Sequence, residues 1–304
     1  MALVSPSSSL FVFGLGYSAR FLARVLDAEA WTVAGTCRSE ATRSALASAG
    51  FNGHLFDREH PLDTAGRAAL AASLNVLVAI PPDASGDPTL DRHGADLALR
   101  NDLRWLGYLS TTGVYGDRAG GWVDEDSELH PVGERGARRV AAERGWLDLW
   151  RQHGLPVHVF RLAGIYGPGR NALDAVRRSE ARRIVKAGQV FSRIHVADVA
   201  RVLRASLTRP RPGAVYNVCD DEPAPPQDVI RYACELLGTA LPPETPFEVA
   251  ADSMSAMGRS FFAESKRVAN RRIKDELGVR LAFPSYREGL RALVDEPVEP
   301  QSRD

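Results

Sequence analysis

Leu10-Phe-Val-Phe-Gly14-Leu15-Gly16-Tyr17-Ser18-Ala19-Arg-Phe-Leu-Ala-Arg-Val-Leu26 runs from a short apolar segment through Gly-x-Gly-x-x-Ala into a helix-period pattern. The pyrophosphate of a dinucleotide needs that layout. Gly14 permits a tight strand-to-helix turn, Gly16 lets the backbone approach phosphate without a Cβ in the way, and Ala19 lets the helix pack close to the strand. The N–H groups opening the helix then face the anion, which places pyrophosphate over Gly14, Leu15, Gly16, Tyr17 and Ser18. A glycine motif alone is a weak signal, and an ordinary strand-to-helix turn would use the same residues. Here the motif follows a strand-like run and opens a helix, which is the context that phosphate binding requires.

Composition sets the outer bounds. The chain has 304 residues, 44% hydrophobic and 25% charged, the make-up of a globular protein with room for one large domain or two. Lys+Arg and Asp+Glu both count 38, so bulk charge argues for neither nucleic acid nor a membrane surface as a partner. No apolar run approaches the roughly 20 residues of a membrane span. Met1 to Ser9 lacks a basic stretch leading into a long apolar core, so no signal peptide is expected and the cytoplasm is the expected location. Cys37, Cys219 and Cys234 show no metal-ligand spacing, so no metal is expected, and they are too few for a disulfide framework.

Strand-like and helix-like segments alternate outward from the opening motif. Strands are expected at Leu10–Phe13, Thr32–Thr36, His54–Phe56, Asn75–Ile80, Trp105–Leu109 and Val157–Leu162. Helices are expected up to about Ala28 and over Glu40–Ala49, Leu90–Asp102 and Arg138–Gln152. That rhythm predicts an α/β fold, a doubly wound, mostly parallel sheet of the Rossmann type. From Pro168 the texture changes, with arginines over 177–183, a strand-like Val190–Ile194, a helix at Val196–Leu207, Ala214–Val218, and then proline-rich breaks. The expected division is a dinucleotide-binding domain over 1–166, continued by 190–220, and a smaller substrate-side region over 167–189 and 221–304. The tail after Val294 reads as loose.

Several segments together resemble one family. Leu109-Ser-Thr-Thr-Gly-Val-Tyr-Gly-Asp117 is similar to the post-strand segment of the extended short-chain dehydrogenases/reductases, the group that holds nucleotide-sugar epimerases and dehydratases. Asp124-Glu125 before Pro131 resembles their approach to the catalytic helix. Arg161-Leu-Ala-Gly-Ile-Tyr-Gly-Pro-Gly-Arg170, Ile194-His195-Val-Ala-Asp198 and Tyr216-Asn217-Val218 before Asp220-Asp221-Glu222-Pro223 follow in the family's order. The segment from Ser265-Lys266-Arg267 to Pro284-Ser-Tyr-Arg-Glu-Gly-Leu290, with the shortened glycine motif, looks like an atypical subgroup of bacterial cytoplasmic proteins.

What the resemblance implies breaks down at the chemistry. The family uses a Tyr as acid/base and a Lys four residues on that lowers its pKa and holds the nicotinamide ribose. Counting back from Ala141-Ala142-Glu143 puts Arg135 and Arg139 in those places, and Glu134-Arg-Gly-Ala-Arg-Arg139 holds no tyrosine. An arginine stays protonated and cannot replace a phenol, although Arg139 can keep a cationic contact to ribose or phosphate. Thr111 matches the hydroxyl that bonds a substrate carbonyl, or else closes a strand end. Tyr115 is the nearest phenol and the candidate displaced acid, though the family's matching Tyr is mostly structural. His195 and Asp198 match structural family residues, Asp198 as a helix N-cap and His195 through a buried hydrogen bond. Arg177, Arg178, Arg182 and Arg183 read as a solvated helical face, the alternative being contact with an anionic substrate over the cleft.

Cofactor choice is read at the end of the second strand. Ala34-Gly-Thr36-Cys37-Arg38-Ser39 lacks the acid that accepts from the ribose hydroxyls of NAD. Arg38 and Ser39 suit a 2′-phosphate, so NADP is expected, with NAD left open. Asp57 resembles the family's acid near the adenine, and Ile80 and Pro81 would flank the cofactor at the fourth strand's end. The expected partner is a small-molecule substrate of unknown identity, with a homodimer as an open assembly. Two functions remain: an NAD(P)-dependent oxidoreductase or epimerase-like enzyme without the usual Tyr-x-x-x-Lys pair, and a non-catalytic dinucleotide-binding sensor or regulatory module.

Overall fold

The computed structural model describes residues 8–296. Seven parallel strands form the central sheet: β1 (Ser9–Phe13), β2 (Thr32–Cys37), β3 (Asn52–Leu55), β4 (Asn75–Val78), β5 (Trp105–Thr111), β6 (Val157–Leu162) and β7 (Val215–Val218). Their order is β7-β6-β5-β4-β1-β2-β3. The chain therefore reverses direction across the sheet between β1 and β4, and the crevice beyond their carboxyl ends is where a doubly wound sheet binds ligands. Leu10, Phe11, Val12 and Phe13 are all buried, because helices cover both faces and no side of β1 meets water.

The helices that matter for the site are α1 (Tyr17–Asp27), α2 (Glu40–Ser48), α3 (Thr64–Ala72), α4 (Pro88–Ala98), α5 (Gly133–His153), α6 (Ala172–Arg177), α7 (Val196–Thr208) and α8 (Pro226–Leu237). α1 buries Ala19, Leu22, Ala23 and Leu26, the i, i+3, i+4, i+7 stripe of an amphipathic helix. That stripe joins Leu10, Val12 and, from α7, Val199 and Leu203 in the core on one face of the sheet. Phe11, Phe13, Val76, Tyr108 and Trp146 form the core on the other. Gly35 lets β2 lie close under the turn after β1: a Cβ there would meet the Val12 carbonyl oxygen at 2.8 Å and Leu15 Cβ at 3.1 Å.

The strands and most helices lie within a few residues of their expected places. The differences are at ends and in weakly patterned stretches. α3 was not anticipated, because only Gly66 and Leu70 are buried along it, and its start is marked by the Asp63 carboxylate accepting from Gly66 N. α4 begins at Pro88, earlier than Leu90, since the buried Asp87 caps Thr89 N and Leu90 N and proline suits the first helical position. α5 begins at Gly133 rather than Arg138. The stretch 183–185 is a strand paired with Glu244–Pro246, not part of a helical arginine face. Gly164–Tyr166 pairs with Arg193–His195, and Trp122–Val123 with Arg267–Val268, stitching the carboxyl-edge segments together. The last residues of the tail expected to be loose, 297–304, lie outside the described residues.

Candidate functional site

The turn after β1 is held from β2. Gly14 N donates to Thr36 Oγ1 at 2.8 Å, and Leu15 N donates to the Thr36 carbonyl at 2.8 Å. The two motif glycines then differ in what requires them. Gly14 has φ +88°, and a Cβ would meet Ile80 Cγ1 at 2.9 Å, so the fold itself demands glycine there. Gly16 has φ −89°, open to any residue. The nearest heavy atom to a Cβ at Gly16 is the Gly14 carbonyl oxygen, 4.0 Å away. Gly16 thus leaves space in front of the α1 N-terminus that packing does not call for. A pyrophosphate would fill it, with the N–H groups that begin α1 as donors. Leu15 is buried and can offer only its backbone, while Tyr17 and Ser18 are half-buried. Ile80 is half-buried and Pro81 exposed, both just past β4 beside the turn.

At the end of β2, Arg38 is exposed and makes no hydrogen bond or ion pair among the described residues. Ser39 is the N-cap of α2, accepting from Thr42 N at 3.2 Å, and its hydroxyl lies 2.9 Å from Thr42 Oγ1. Asp57 folds back on its own loop, accepting from Glu59 N and His60 N at 2.8 Å each and contacting His60 Nδ1 at 2.9 Å. Burial works to raise the Asp57 pKa, and these bonds more than reverse it. An adenine amine reaching this carboxylate would therefore share an acceptor already in use. Next to it, Arg58 grips Asp83 with Nε at 2.7 Å and Nη2 at 3.0 Å, and Asp91 with Nη1 at 2.7 Å. This pinned pair of loops beyond β3 and β4 was not read from the sequence, since nothing local links residues 25 apart.

The carboxyl end of β5 is arranged differently. Thr111 is half-buried, and its Oγ1 accepts from Gly113 N at 3.1 Å, capping a single 3₁₀ turn over Thr112–Tyr115. Its hydroxyl hydrogen remains available for an acceptor. Tyr115 is fully buried. Its hydroxyl donates to Asn217 Oδ1 at 2.7 Å and accepts from Arg161 Nη1 at 2.8 Å. Burial pushes this phenol up to about 12, with Arg161 acting against it. So placed, Tyr115 presents no open proton to a substrate, and its geometry is that of a core residue rather than of the displaced acid considered above. Arg139, half-buried on α5, donates to the Leu109 carbonyl at 2.5 Å and to the Tyr108 hydroxyl at 3.2 Å. Its guanidinium buttresses the β5 end instead of standing free for ribose. Arg135 is exposed on the first turn of the same helix.

Behind these residues lies a network that the sequence reading missed. Glu143 is 1% exposed and Arg161 5%, and they pair at 2.9 Å. Ser110 Oγ donates to Glu143 Oε1 at 2.5 Å. Glu125 Oε1 accepts from Asn217 N at 2.9 Å, closing a polar path from α5 through β5 and β6 to β7. Glu143 stood in the stretch Ala141-Ala142-Glu143 that was used only to count positions, and no periodicity marks a partner on another strand.

Two further expectations change. Asp198 is not the cap of α7. His195 is, its Nδ1 accepting from Ala197 N at 3.2 Å. Asp198 instead accepts from Ala282 N at 2.7 Å and Phe283 N at 2.9 Å, which docks the late segment on the helix. The arginines of 177–183 are not one solvated face. Arg177 holds the Val294 and Glu296 carbonyls and Arg183 pairs with Glu244, while Arg178 pairs with Glu180 and Arg182 with Ser253. The three cysteines are free and buried, and no group of three His, Cys, Asp or Glu among the described residues is placed to hold a metal. No helix among them is long and apolar enough to cross a membrane.

Comparison with known proteins agrees with this arrangement. The model of the NAD dependent epimerase/dehydratase family matches residues 12–219. The chain is 30% identical to Protein YeeZ of Escherichia coli K12 over 286 residues, 90% of this chain and 95% of that one. A solved structure of a functionally unknown conserved protein from Silicibacter pomeroyi is 50% identical, with a TM-score of 0.87 over 94% of this chain and 98% of that one. The dTDP-glucose 4,6-dehydratase of Bacillus anthracis, solved in complex with NAD, shares the fold at 15% identity, with a TM-score of 0.73 over 94% of this chain and 95% of its own.

Proposed function

The chain belongs to the NAD dependent epimerase/dehydratase family, and on that footing we propose that it binds a nicotinamide dinucleotide, NADP in preference to NAD, and acts on a small molecule as an oxidoreductase or epimerase-like enzyme. The observation that carries the reading is Gly16, a glycine required by neither backbone angle nor packing, which leaves room at a helix N-terminus on the sheet's switch point. Gly14, Leu15, Gly16, Tyr17 and Ser18 hold the pyrophosphate. Arg38 and Ser39 hold the 2′-phosphate, which the unpaired Arg38 guanidinium favours, and Asp57, Ile80 and Pro81 flank the adenosine side. When bound, the dinucleotide supplies hydride exchange with a substrate carbon. The protein's share is to orient that substrate: Thr111 has a hydroxyl hydrogen to donate to a carbonyl oxygen.

Residues 133–139 provide no phenol where the family places its acid/base. Arg139 is spent on the β5 end and Tyr115 is buried in the core. That observation favours, as a second reading, a dinucleotide-binding module without turnover. Calorimetry with NADP and NAD, followed by NADPH oxidation against a panel of carbonyl compounds, separates the two. Binding with turnover supports the enzyme, binding with none supports the module, and no binding of either dinucleotide ends both.

A further inference from the structure

The pyrophosphate turn is tied to the opposite rim of the crevice by one side chain. The Tyr17 hydroxyl donates to the Pro168 carbonyl at 3.0 Å, joining residues 151 positions apart. Its ring is steadied on α1 by an edge contact with Phe21, centroids 5.4 Å apart. On the far side, Gly167 and Arg170 bond each other's backbone at 3.0 Å in both directions, making a closed loop. Gly167 has φ +156°, and a Cβ there would meet Val196 Cγ1 at 2.6 Å and the Tyr17 hydroxyl oxygen at 2.8 Å. The loop thus has no side chain where Val196 and Tyr17 close on it. It is continued by Asn171, whose Nδ2 donates to the Gly167 carbonyl at 3.0 Å and whose Oδ1 caps α6 at Asp174 N, 2.9 Å away. The loop also carries Arg170, exposed and with no side-chain partner among the described residues.

We infer that Tyr17 is a positioning residue that couples the dinucleotide to the substrate side: pyrophosphate seated on the Tyr17 backbone fixes the ring, and the ring fixes the Gly167–Arg170 loop and the Arg170 guanidinium at the rim. The physical reason is that backbone and side chain of one residue belong to two elements. An anion that immobilises the first turn of α1 reduces the freedom of the phenol, and ordering of the acceptor loop follows at lower entropic cost. This inference rests on the dinucleotide reading above.

Hydrogen exchange read by mass spectrometry tests it, on the full chain and on Tyr17→Phe, with NADP or NAD as the probe, whichever calorimetry shows to bind. Phenylalanine keeps the ring contact with Phe21 and removes only the donor. In the unsubstituted chain, the dinucleotide should slow exchange both over 14–20 and over 165–171. In Tyr17→Phe, the protection over 14–20 should persist and the ligand-induced part over 165–171 should be lost, with affinity reduced by about two- to tenfold, as for one neutral hydrogen bond. A general loss of stability would speed exchange with and without ligand alike and leave the ligand-induced difference in place. Protection confined to 14–20 in the unsubstituted chain overturns the coupling, and an unchanged pattern in Tyr17→Phe overturns the role of its hydroxyl. If neither dinucleotide binds the unsubstituted chain, the reading beneath falls and this inference with it.

Discussion

Two carboxyl ends of one sheet are built on opposite principles. Beyond β1, β2 and β4 the chain leaves groups open: Gly16 leaves room for a side chain it does not have, and the Arg38 side chain has no partner among the described residues. At β5, β6 and β7 one set of polar groups satisfies itself: Ser110, Glu143, Arg161, Tyr115, Asn217 and Glu125 form a buried chain of bonds. The open end leaves the first N–H groups of α1 without intrahelical acceptors. The closed end uses polar residues to lock strands and helix in register, since a buried charge is tolerated only when paired and hydrogen-bonded. Substitutions should therefore separate the two ends, stability responding at one and affinity at the other.

The largest effect belongs to the closed end. Glu143→Ala strands the Arg161 guanidinium without its carboxylate and should destabilise the fold by about 3–5 kcal/mol. Urea unfolding reads this, and a change under about 1 kcal/mol would mean that the network is not the lock described. At the open end, Gly16→Val should lower dinucleotide affinity by roughly a hundredfold, near 3 kcal/mol, and leave the unfolding midpoint close to that of the parent, because its Cβ meets only one atom, at 4.0 Å. Calorimetry and unfolding on the same sample decide it, and an equal loss in both would erase the distinction between the ends.

Arg38→Ala comes next. A charge-assisted contact to a 2′-phosphate contributes about 1.5–3 kcal/mol, so NADP affinity should fall about tenfold to a hundredfold while NAD affinity stays level. The NADP preference should also shrink with added salt, since Arg38 is exposed. Equal affinities of the parent for NAD and NADP at low salt would return Arg38 to a solvated side chain.

The smallest effect is pH-dependent and sharpens the picture of the closed end. His158 is fully buried on β6. Its Nδ1 faces the Leu106 carbonyl at 3.3 Å and its Nε2 accepts from Arg211 N at 2.7 Å, which together require the neutral ring. Burial depresses this imidazole to about 4. The unfolded chain therefore takes up the proton first as pH falls below about 6.5, so the stability His158 contributes is present above that pH and is lost progressively toward pH 4. Between pH 7 and 5 the loss is about 2 kcal/mol for this residue. Buried His195, also depressed to about 4, adds to it in the same direction. Asp220, whose carboxyl burial raises to about 8, acts in the opposite direction over this range. The difference between the parent and His158→Gln in urea unfolding at the two pH values therefore isolates the histidine, and the variant should lose less stability on acidification.

The sequence by itself determined the α/β rhythm, the parallel sheet and the position of the glycine turn between β1 and α1. These are written locally: an apolar run buried on both faces, a glycine turn and a helical stripe such as Ala19-Leu22-Ala23-Leu26 all lie within one window of residues. The same holds for the missing acid at the end of β2 and the missing tyrosine over 133–139, which are absences readable without coordinates. The start of α4 was misplaced and α3 was missed where capping rather than periodicity marks a helix, at Asp87 and at Asp63. Only the tertiary structure decided which of the candidate side chains remain available. Tyr115, Arg139 and Asp198 look alike in sequence, as polar residues beside family motifs, and each is consumed by a partner at least 30 positions away: Asn217, Leu109 and Ala282. The same long-range geometry joins Tyr17 to Pro168 and Glu143 to Arg161. Whether a buried polar group is free to act depends on what the fold brings to within about 3 Å of it, and no local pattern carries that distance.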